Sequence, residues 1–139
     1  RFVTGAEAED ISARLRFENG VDVVADVQAR FGDALYSAYV STRMHPYQEM
    51  VFHGEKGLIR LTTPFNARVF GQAQVELHQA NHVGGGRVTT HRFPTDDQYK
   101  LQVEAFGGSI RDGVDYPCPL EFSRGTQAMI DTVLSVSGD

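Results

Sequence analysis

Apolar and polar residues alternate in two neighbouring runs near the start of the chain. Apolar side chains take every second position from Ile11 to Phe17 and again from Val21 to Ala29. Asn19-Gly20 separates the two runs, and this dipeptide readily adopts the positive φ angles of a two-residue hairpin turn. The pattern therefore predicts a β-hairpin with one solvated face and one packed face.

The chain continues as a series of short strand-like segments. Strands are predicted over 35–43, 48–53, 58–61, 72–80 and 87–93. A tight turn is predicted at Gly54-Glu55-Lys56-Gly57, and the triple glycine 84–86 joins the last two segments. Because most neighbouring segments are joined by short turns, we expect the strands to pair antiparallel.

The apolar period changes after Pro94 and predicts a first helix. Thr95-Asp96-Asp97-Gln98 has the form of a capping box, with the Thr95 hydroxyl at the N-cap and Gln98 three residues later. An apolar stripe at helical spacing then extends over about four turns. Its members are Tyr99, Val103, Phe106 and Ile110. Gly107-Gly108 is expected to weaken the end of this helix.

A second helix is predicted after the loop 111–117, with Pro119 in its first turn and Gly138 at its end. Its buried side is expected to comprise Leu120, Met129, Ile130, Val133 and Leu134. Strands first and helices last indicate an α+β fold, an open and mainly antiparallel sheet with helices packed on one face. At 139 residues the chain is expected to form a single domain over 1–139.

Composition and charge narrow the classes of function. The net charge is −5 and no stretch concentrates Lys or Arg, so no nucleic-acid partner is expected. No apolar run approaches the roughly 20 residues of a membrane span, and no signal peptide opens the chain. We therefore expect a cytoplasmic protein without a membrane partner. Because the first residue is Arg1 and not Met, we expect the chain to be a piece of a longer protein.

Metal and nucleotide sites are not predicted. His78 and His82 lie four residues apart, but in a strand that spacing spans roughly 13 Å, too far for two ligands of one ion. Cys118 is the single cysteine, which excludes an internal disulfide. No glycine-rich dinucleotide fingerprint, phosphate loop or serine-hydrolase motif occurs, so the chain alone is expected to bind neither NAD nor ATP by a familiar route.

Polar residues that suit hydroxyl recognition gather around two proline breaks. Arg43, Tyr47 and Gln48 flank Pro46, and Asn66 follows Pro64-Phe65. Their side chains offer oriented hydrogen bonds to a polar ligand. The alternative interpretation is that these residues satisfy local backbone groups in loops, and the residue types alone leave both interpretations open.

A family resemblance extends over roughly residues 10–138. The segments that carry it are Arg43 to Gly57, Pro64 to Ala67, Asp97 to Phe106 and Pro119 to Ser137. In their order and spacing these segments resemble the C-terminal domain of the Gfo/Idh/MocA oxidoreductases. That family includes glucose–fructose oxidoreductase, inositol dehydrogenases and sugar dehydrogenases.

The resemblance implies the substrate-side domain of a two-domain enzyme. In the family an N-terminal Rossmann domain holds NAD or NADP, and the C-terminal domain shapes the sugar site and often builds the subunit interface. The resemblance also implies a homo-oligomer formed through the open sheet face. The residues expected to bind substrate are Arg43, Tyr47, Gln48, Asn66 and Tyr99. The substrate would be a sugar, inositol or related polyol oxidised at a hydroxyl.

One departure from the family pattern qualifies what this chain can do. The family's usual catalytic lysine lies in a Glu-Lys-Pro motif of the first domain, whereas Lys56 in Glu55-Lys56-Gly57 falls in a strand turn. No catalytic, metal-binding or cofactor-binding residue is therefore assigned. The isolated chain is expected to be inactive and to carry no bound cofactor.

The alternative is a non-enzymatic β-sheet module for assembly or ligand binding. A stand-alone carbohydrate-binding domain is less favoured because the chain has no Trp.

Overall fold

The computed structural model describes residues 1–69, 71–81, 85–94 and 96–137. The chain divides into two compact units, one formed by Arg1–Met44 with Pro117–Asp139 and the other by His45–Tyr116. Within the described ranges, strands precede helices along the chain. The order is β1 (Ala8–Glu18), β2 (Val21–Phe31), β3 (Ala34–Ser41), β4 (Met50–Gly54), β5 (Gly57–Leu61), β6 (Gln74–Asn81), β7 (Gly85–Arg92), α1 (Gln98–Asp112) and α2 (Leu120–Val136).

The first unit contains a three-stranded sheet in the order β1-β2-β3, and every pairing in it is antiparallel. The predicted hairpin is confirmed, with Asn19 at φ 53° and Gly20 at φ 78°, the two positive angles that a type I′ turn requires. The pairing of β1 with β2 shifts between Arg16 and Phe17. Phe17, expected on the packed face, lies beyond this shift and is exposed.

The buried side chains of this unit lie on one face of β2. Alternate residues of a strand point to the same face. The buried residues of β2 follow that spacing and are Val23, Ala25, Ala29 and Phe31. Helix α2 lies against β1, so the first sheet has a helix beside it as predicted. Pro119 occupies the N-cap of α2 and not its first turn. Three residues expected on the buried side of α2 are exposed, namely Leu120, Ile130 and Leu134.

The second unit contains a four-stranded antiparallel sheet in the order β4-β5-β6-β7. The register places Arg60 opposite both Val51 and Glu76, so these residues share one face. On the opposite face, the residues that β4, β5 and β6 place side by side are apolar. Its members are Met50, Phe52, Ile59, Leu61, Val75 and Leu77. The α+β class and the antiparallel pairing are confirmed, with the strands divided between two sheets.

The N-cap of helix α1 lies two residues later than the predicted capping box places it. Asp97 is the N-cap, and its carboxylate accepts hydrogen bonds from the backbone N–H groups of Tyr99 and Lys100. Thr95, the predicted N-cap, lies outside the described residues. The helix runs through Gly107-Gly108 and ends before Gly113, whose φ of 67° is the left-handed C-cap conformation. No side chain of α1 is buried, so its predicted apolar stripe is exposed.

Candidate substrate site

Gln48 reaches from the residues just before β4 to the loop between β5 and β6. Its side-chain oxygen Oε1 accepts hydrogen bonds from the backbone N–H of Phe65 at 3.3 Å and of Asn66 at 3.1 Å. These bonds connect residues 17 and 18 positions apart in sequence. Gln48 therefore fixes the backbone of the loop where Asn66 lies.

Tyr99 closes the cluster from the first turn of α1. Its hydroxyl donates a hydrogen bond of 3.1 Å to Oδ1 of Asn66. The neighbouring Gln98 donates a longer bond of 3.5 Å to the carbonyl of Phe65. The structure thus brings together three of the predicted site residues, Gln48, Asn66 and Tyr99, and we call these three the amide–phenol cluster.

Two residues that the sequence reasoning missed support this cluster. Asp97 accepts hydrogen bonds from the N–H of Tyr99 at 3.1 Å and of Lys100 at 3.2 Å, and so fixes the start of the helix that carries Tyr99. Arg68 forms a salt bridge of 3.1 Å with Asp97. The sequence signal for Asp97 was present, since Asp is as strong an N-cap residue as Ser or Thr.

Tyr47 belongs to a different set of contacts, on the polar face of the second sheet. Its hydroxyl donates to the carboxylate of Glu49. Arg60 donates to Glu49 at 2.9 Å and to Glu76 at 3.4 Å. The Arg60 guanidinium holds the pKa of Glu49 below its usual value, and the hydrogen bond to Glu49 raises the pKa of Tyr47 because it stabilises the protonated phenol.

These contacts continue across the sheet as a polar ladder. Glu76 accepts from Gln74 at 2.7 Å and lies 3.1 Å from Nε2 of His78. Gln74 in turn accepts a bond of 3.2 Å from Arg92 on β7. The contacts of Glu76 with His78 and then with Arg60 lower the pKa of its carboxyl. Tyr47 is therefore part of an internally paired network whose charges alternate in sign.

Arg43 lies in the first unit, where Glu18 is its partner. The distance from its Nη2 to Oε2 of Glu18 is 2.5 Å, and its backbone N–H donates to Oγ of Ser41 at 3.0 Å. The residue thus closes the end of β3 onto the β-hairpin.

Cys118 and the histidines are the other candidate reactive groups of the sequence. The sulfur of Cys118 is exposed and lies 3.8 Å from Oγ of Ser123. Over the described ranges, no three His, Cys, Asp or Glu side chains lie close enough together to hold a metal ion. His78 is in β6 as predicted, and His82 lies outside the described residues. None of the helices in the described part of the chain is both long and apolar enough to span a bilayer.

The amide–phenol cluster places a hydrogen-bond donor next to an acceptor. The hydroxyl hydrogen of Tyr99 is donated to Asn66, so the phenol oxygen retains lone pairs that can accept a hydrogen bond. The amide nitrogen of Asn66 can donate one. Tyr99 is 61% exposed, so a ligand in solvent has access to this edge. A donor next to an acceptor matches a hydroxyl group, which both donates and accepts.

One curated relative matches most of the length of this chain. The chain is 28% identical over 136 residues to a Rhizobium meliloti protein named uncharacterized oxidoreductase ORF334. The match covers 96% of this chain and 41% of the relative, so the chain spans less than half of that protein's length. No family model matches the chain.

Proposed function

We propose that this chain is the substrate-side domain of an NAD(P)-dependent oxidoreductase that acts on a hydroxyl of a sugar, inositol or related polyol. The observation that carries the proposal is the amide–phenol cluster, in which Tyr99 and Asn66 meet 3.1 Å apart at an exposed edge. The similarity to a protein named as an oxidoreductase supports the reaction class. Residues 1–139 would act as one functional domain of the parent protein.

The charges around the cluster favour a neutral substrate. Arg68 and Asp97 flank the cluster and neutralise each other at 3.1 Å. A sugar phosphate or sugar acid would need an unpaired cation to offset the loss of its hydration. A neutral polyol needs only the hydrogen-bonding edge of Asn66 and Tyr99. We therefore expect polyols to bind in preference to their phosphorylated or oxidised forms.

The cofactor would be held by another part of the parent protein. Nicotinamide dinucleotides bind at a glycine-rich turn between a parallel strand and a helix. In the described residues every strand pairing is antiparallel, which does not fit that site. NAD or NADP, when bound there, would accept the hydride, while this chain would bind and orient the substrate.

Self-association through a sheet face is the second part of the proposal. The apolar face defined by Met50, Phe52, Ile59, Leu61, Val75 and Leu77 contains no buried residue. Ile59 is exposed and the other five members are half-buried, so the face still presents apolar surface to water. A second copy that covers it would remove that surface from water, and a two-fold axis lets the same face serve on both subunits. We expect a homodimer formed through this face.

An NMR titration of the ¹⁵N-labelled chain tests the substrate proposal. Adding myo-inositol should shift the side-chain amide of Asn66 and the backbone amide of Tyr99, with saturation at about millimolar concentration, as expected for a few hydrogen bonds in half a site. Tyr99→Phe should weaken binding, whereas Tyr39→Phe, at a tyrosine also 61% exposed, should not. NADH should leave the spectrum unchanged.

Light scattering tests the oligomer and separates the alternative function. We expect a dimer for the natural chain and a monomer for Ile59→Lys, which places a charge in the apolar face. A dimer that binds neither myo-inositol nor D-glucose would favour the non-enzymatic assembly module. A monomer that binds a polyol would leave the substrate proposal standing and contradict the proposed interface.

A further inference from the structure

We propose that Gln48 is a positioning residue that acts through its side-chain oxygen and does not contact substrate. Within the proposed function, on which this inference rests, Gln48 would hold the loop 62–66 so that Asn66 and Tyr99 present a defined hydrogen-bonding edge. This role differs from the direct substrate contact expected from the sequence. It assigns the function of the side chain to one atom, Oε1.

The hydrogen bonds of Gln48 are directed inward. Oε1 accepts from two consecutive backbone N–H groups, those of Phe65 and Asn66. A carbonyl oxygen has two lone pairs, so these two bonds use its full capacity as an acceptor. Both Gln48 and Asn66 are partly buried, where an unpaired backbone N–H would be costly.

The loop has a specific need for this acceptor. Phe65 and Asn66 follow Pro64 in a bend between β5 and β6, and neither N–H is part of the sheet pairing between those strands. Thr63 closes the other side of the loop, since its hydroxyl donates to the carbonyl of Gln72 at 2.7 Å. From its position just before β4, Gln48 therefore supplies the hydrogen bonds that the sheet does not supply.

The consequence for the site passes through Asn66. Its backbone is held by Gln48 and its side-chain oxygen receives the Tyr99 hydroxyl at 3.1 Å. Holding both ends of the residue fixes the direction in which its amide nitrogen can donate. Without Gln48 the N–H groups of Phe65 and Asn66 would lose their acceptor, and the direction of the Asn66 side chain would be less tightly fixed.

Two substitutions separate the oxygen of Gln48 from its nitrogen. Gln48→Glu keeps an acceptor in the same place and removes the amide donor, whereas Gln48→Met keeps the length and removes the acceptor. A positioning role predicts that Glu substitutes and Met does not. A direct contact through the amide nitrogen predicts that both substitutions impair binding. Gln102, exposed on α1, provides matched controls as Gln102→Glu and Gln102→Met.

The experiment measures amide hydrogen exchange and polyol binding in the ¹⁵N-labelled chain. In Gln48→Met we expect exchange of the Phe65 and Asn66 amides to accelerate at least about fivefold, which corresponds to the loss of one typical hydrogen bond. In Gln48→Glu exchange should stay within about twofold of the natural chain, because the carboxylate accepts the same bonds. Myo-inositol binding should follow the same order, weakened in Met and retained in Glu.

The two readouts fail separately. Equal exchange rates in the Glu and Met variants, or equal loss of myo-inositol binding in both, would overturn the positioning role. Absence of myo-inositol and D-glucose binding in the natural chain would overturn the proposed substrate class. In that case the exchange rates of Phe65 and Asn66 still decide whether the Gln48 oxygen holds the loop.

Discussion

Gly57 lies at the point where the β4–β5 turn passes closest to β6. A Cβ atom added at this residue would lie 2.5 Å from the backbone carbonyl oxygen of His78 and 3.5 Å from its carbonyl carbon. The carbonyl is part of the sheet backbone and cannot rotate away as a flexible side chain could. Gly57→Ala should therefore push β5 away from β6.

The expected cost follows from the strain and from the bonds that the displacement weakens. Overpacking that forces a backbone shift costs about 1–3 kcal/mol. Weakening one strand hydrogen bond adds about 1 kcal/mol. We expect Gly57→Ala to lower the free energy of unfolding of the second unit by about 2–4 kcal/mol, which is a large effect for one methyl group.

The matched control is Gly54→Ala at the other end of the same turn. There the nearest atom to an added Cβ is the Gly57 carbonyl oxygen at 3.8 Å, which is ordinary contact. Urea unfolding followed by circular dichroism should shift its midpoint by roughly 1–2 M for Gly57→Ala and little for Gly54→Ala. Amide exchange in β5 and β6 localises the effect. Equal stability of the two variants would refute the close approach to His78.

Three further predictions concern other parts of the chain. In an Arg1→Ala background, Gly125→Ala should stabilise α2 by about 1 kcal/mol through helix propensity. In the natural chain Gly125→Ala should instead lower the melting temperature. The new Cβ would lie 2.7 Å from Cζ of Arg1 and displace the hydrogen bonds that Arg1 donates to α2. A stability change of the same sign in both backgrounds would contradict this. Asp97→Ala should cost about 1 kcal/mol and speed amide exchange in the first turn of α1, whereas Asp96→Ala should not, and equal exchange in both variants would exclude the cap. Glu76 has a pKa lowered in the folded state, so its contribution to stability is present above the unfolded value of about 4.3 and is lost as pH falls below it. The difference in urea midpoint between the natural chain and Glu76→Gln should therefore be larger at pH 6 than at pH 3, and a constant difference would contradict that shift.

The strand pattern was readable from the sequence because it depends on local residue types. Asn19-Gly20 identified the first hairpin, and alternation located β1 and β2 to within a few residues. The shift in pairing at Arg16 and Phe17 was not readable, because an irregularity of register leaves the alternation of residue types unchanged. The exposure of Phe17 followed from that shift.

The helix boundaries and buried faces were harder to predict. Thr95 and Asp97 are both acceptable N-caps, and only the bonds to Tyr99 and Lys100 distinguish them. The apolar spacing of Tyr99, Phe106 and Ile110 correctly indicated one stripe. It could not show that this stripe is exposed, because periodicity records which residues share a face and not what covers it.

The candidate site was readable as residue types and not as contacts. Gln48, Asn66 and Tyr99 come together because a strand start, a loop and a helix start meet, which spacing alone does not reveal. Tyr47 instead joins Glu49, and Arg43 joins Glu18, since each has a partner of complementary charge or hydrogen bonding nearby. The polar ladder was missed because its members are distributed over β5, β6, β7 and the segment before β4.

The most direct measurement is substrate turnover by the protein expressed from the complete reading frame that contains this chain. NAD⁺ or NADP⁺ reduction should be observed with at least one member of a panel of neutral sugars and inositols. Tyr99→Phe should lower kcat/KM for that substrate, while Tyr39→Phe should leave it unchanged. If the folded protein reduces neither NAD⁺ nor NADP⁺ with any member of the panel, the proposed oxidoreductase function is contradicted.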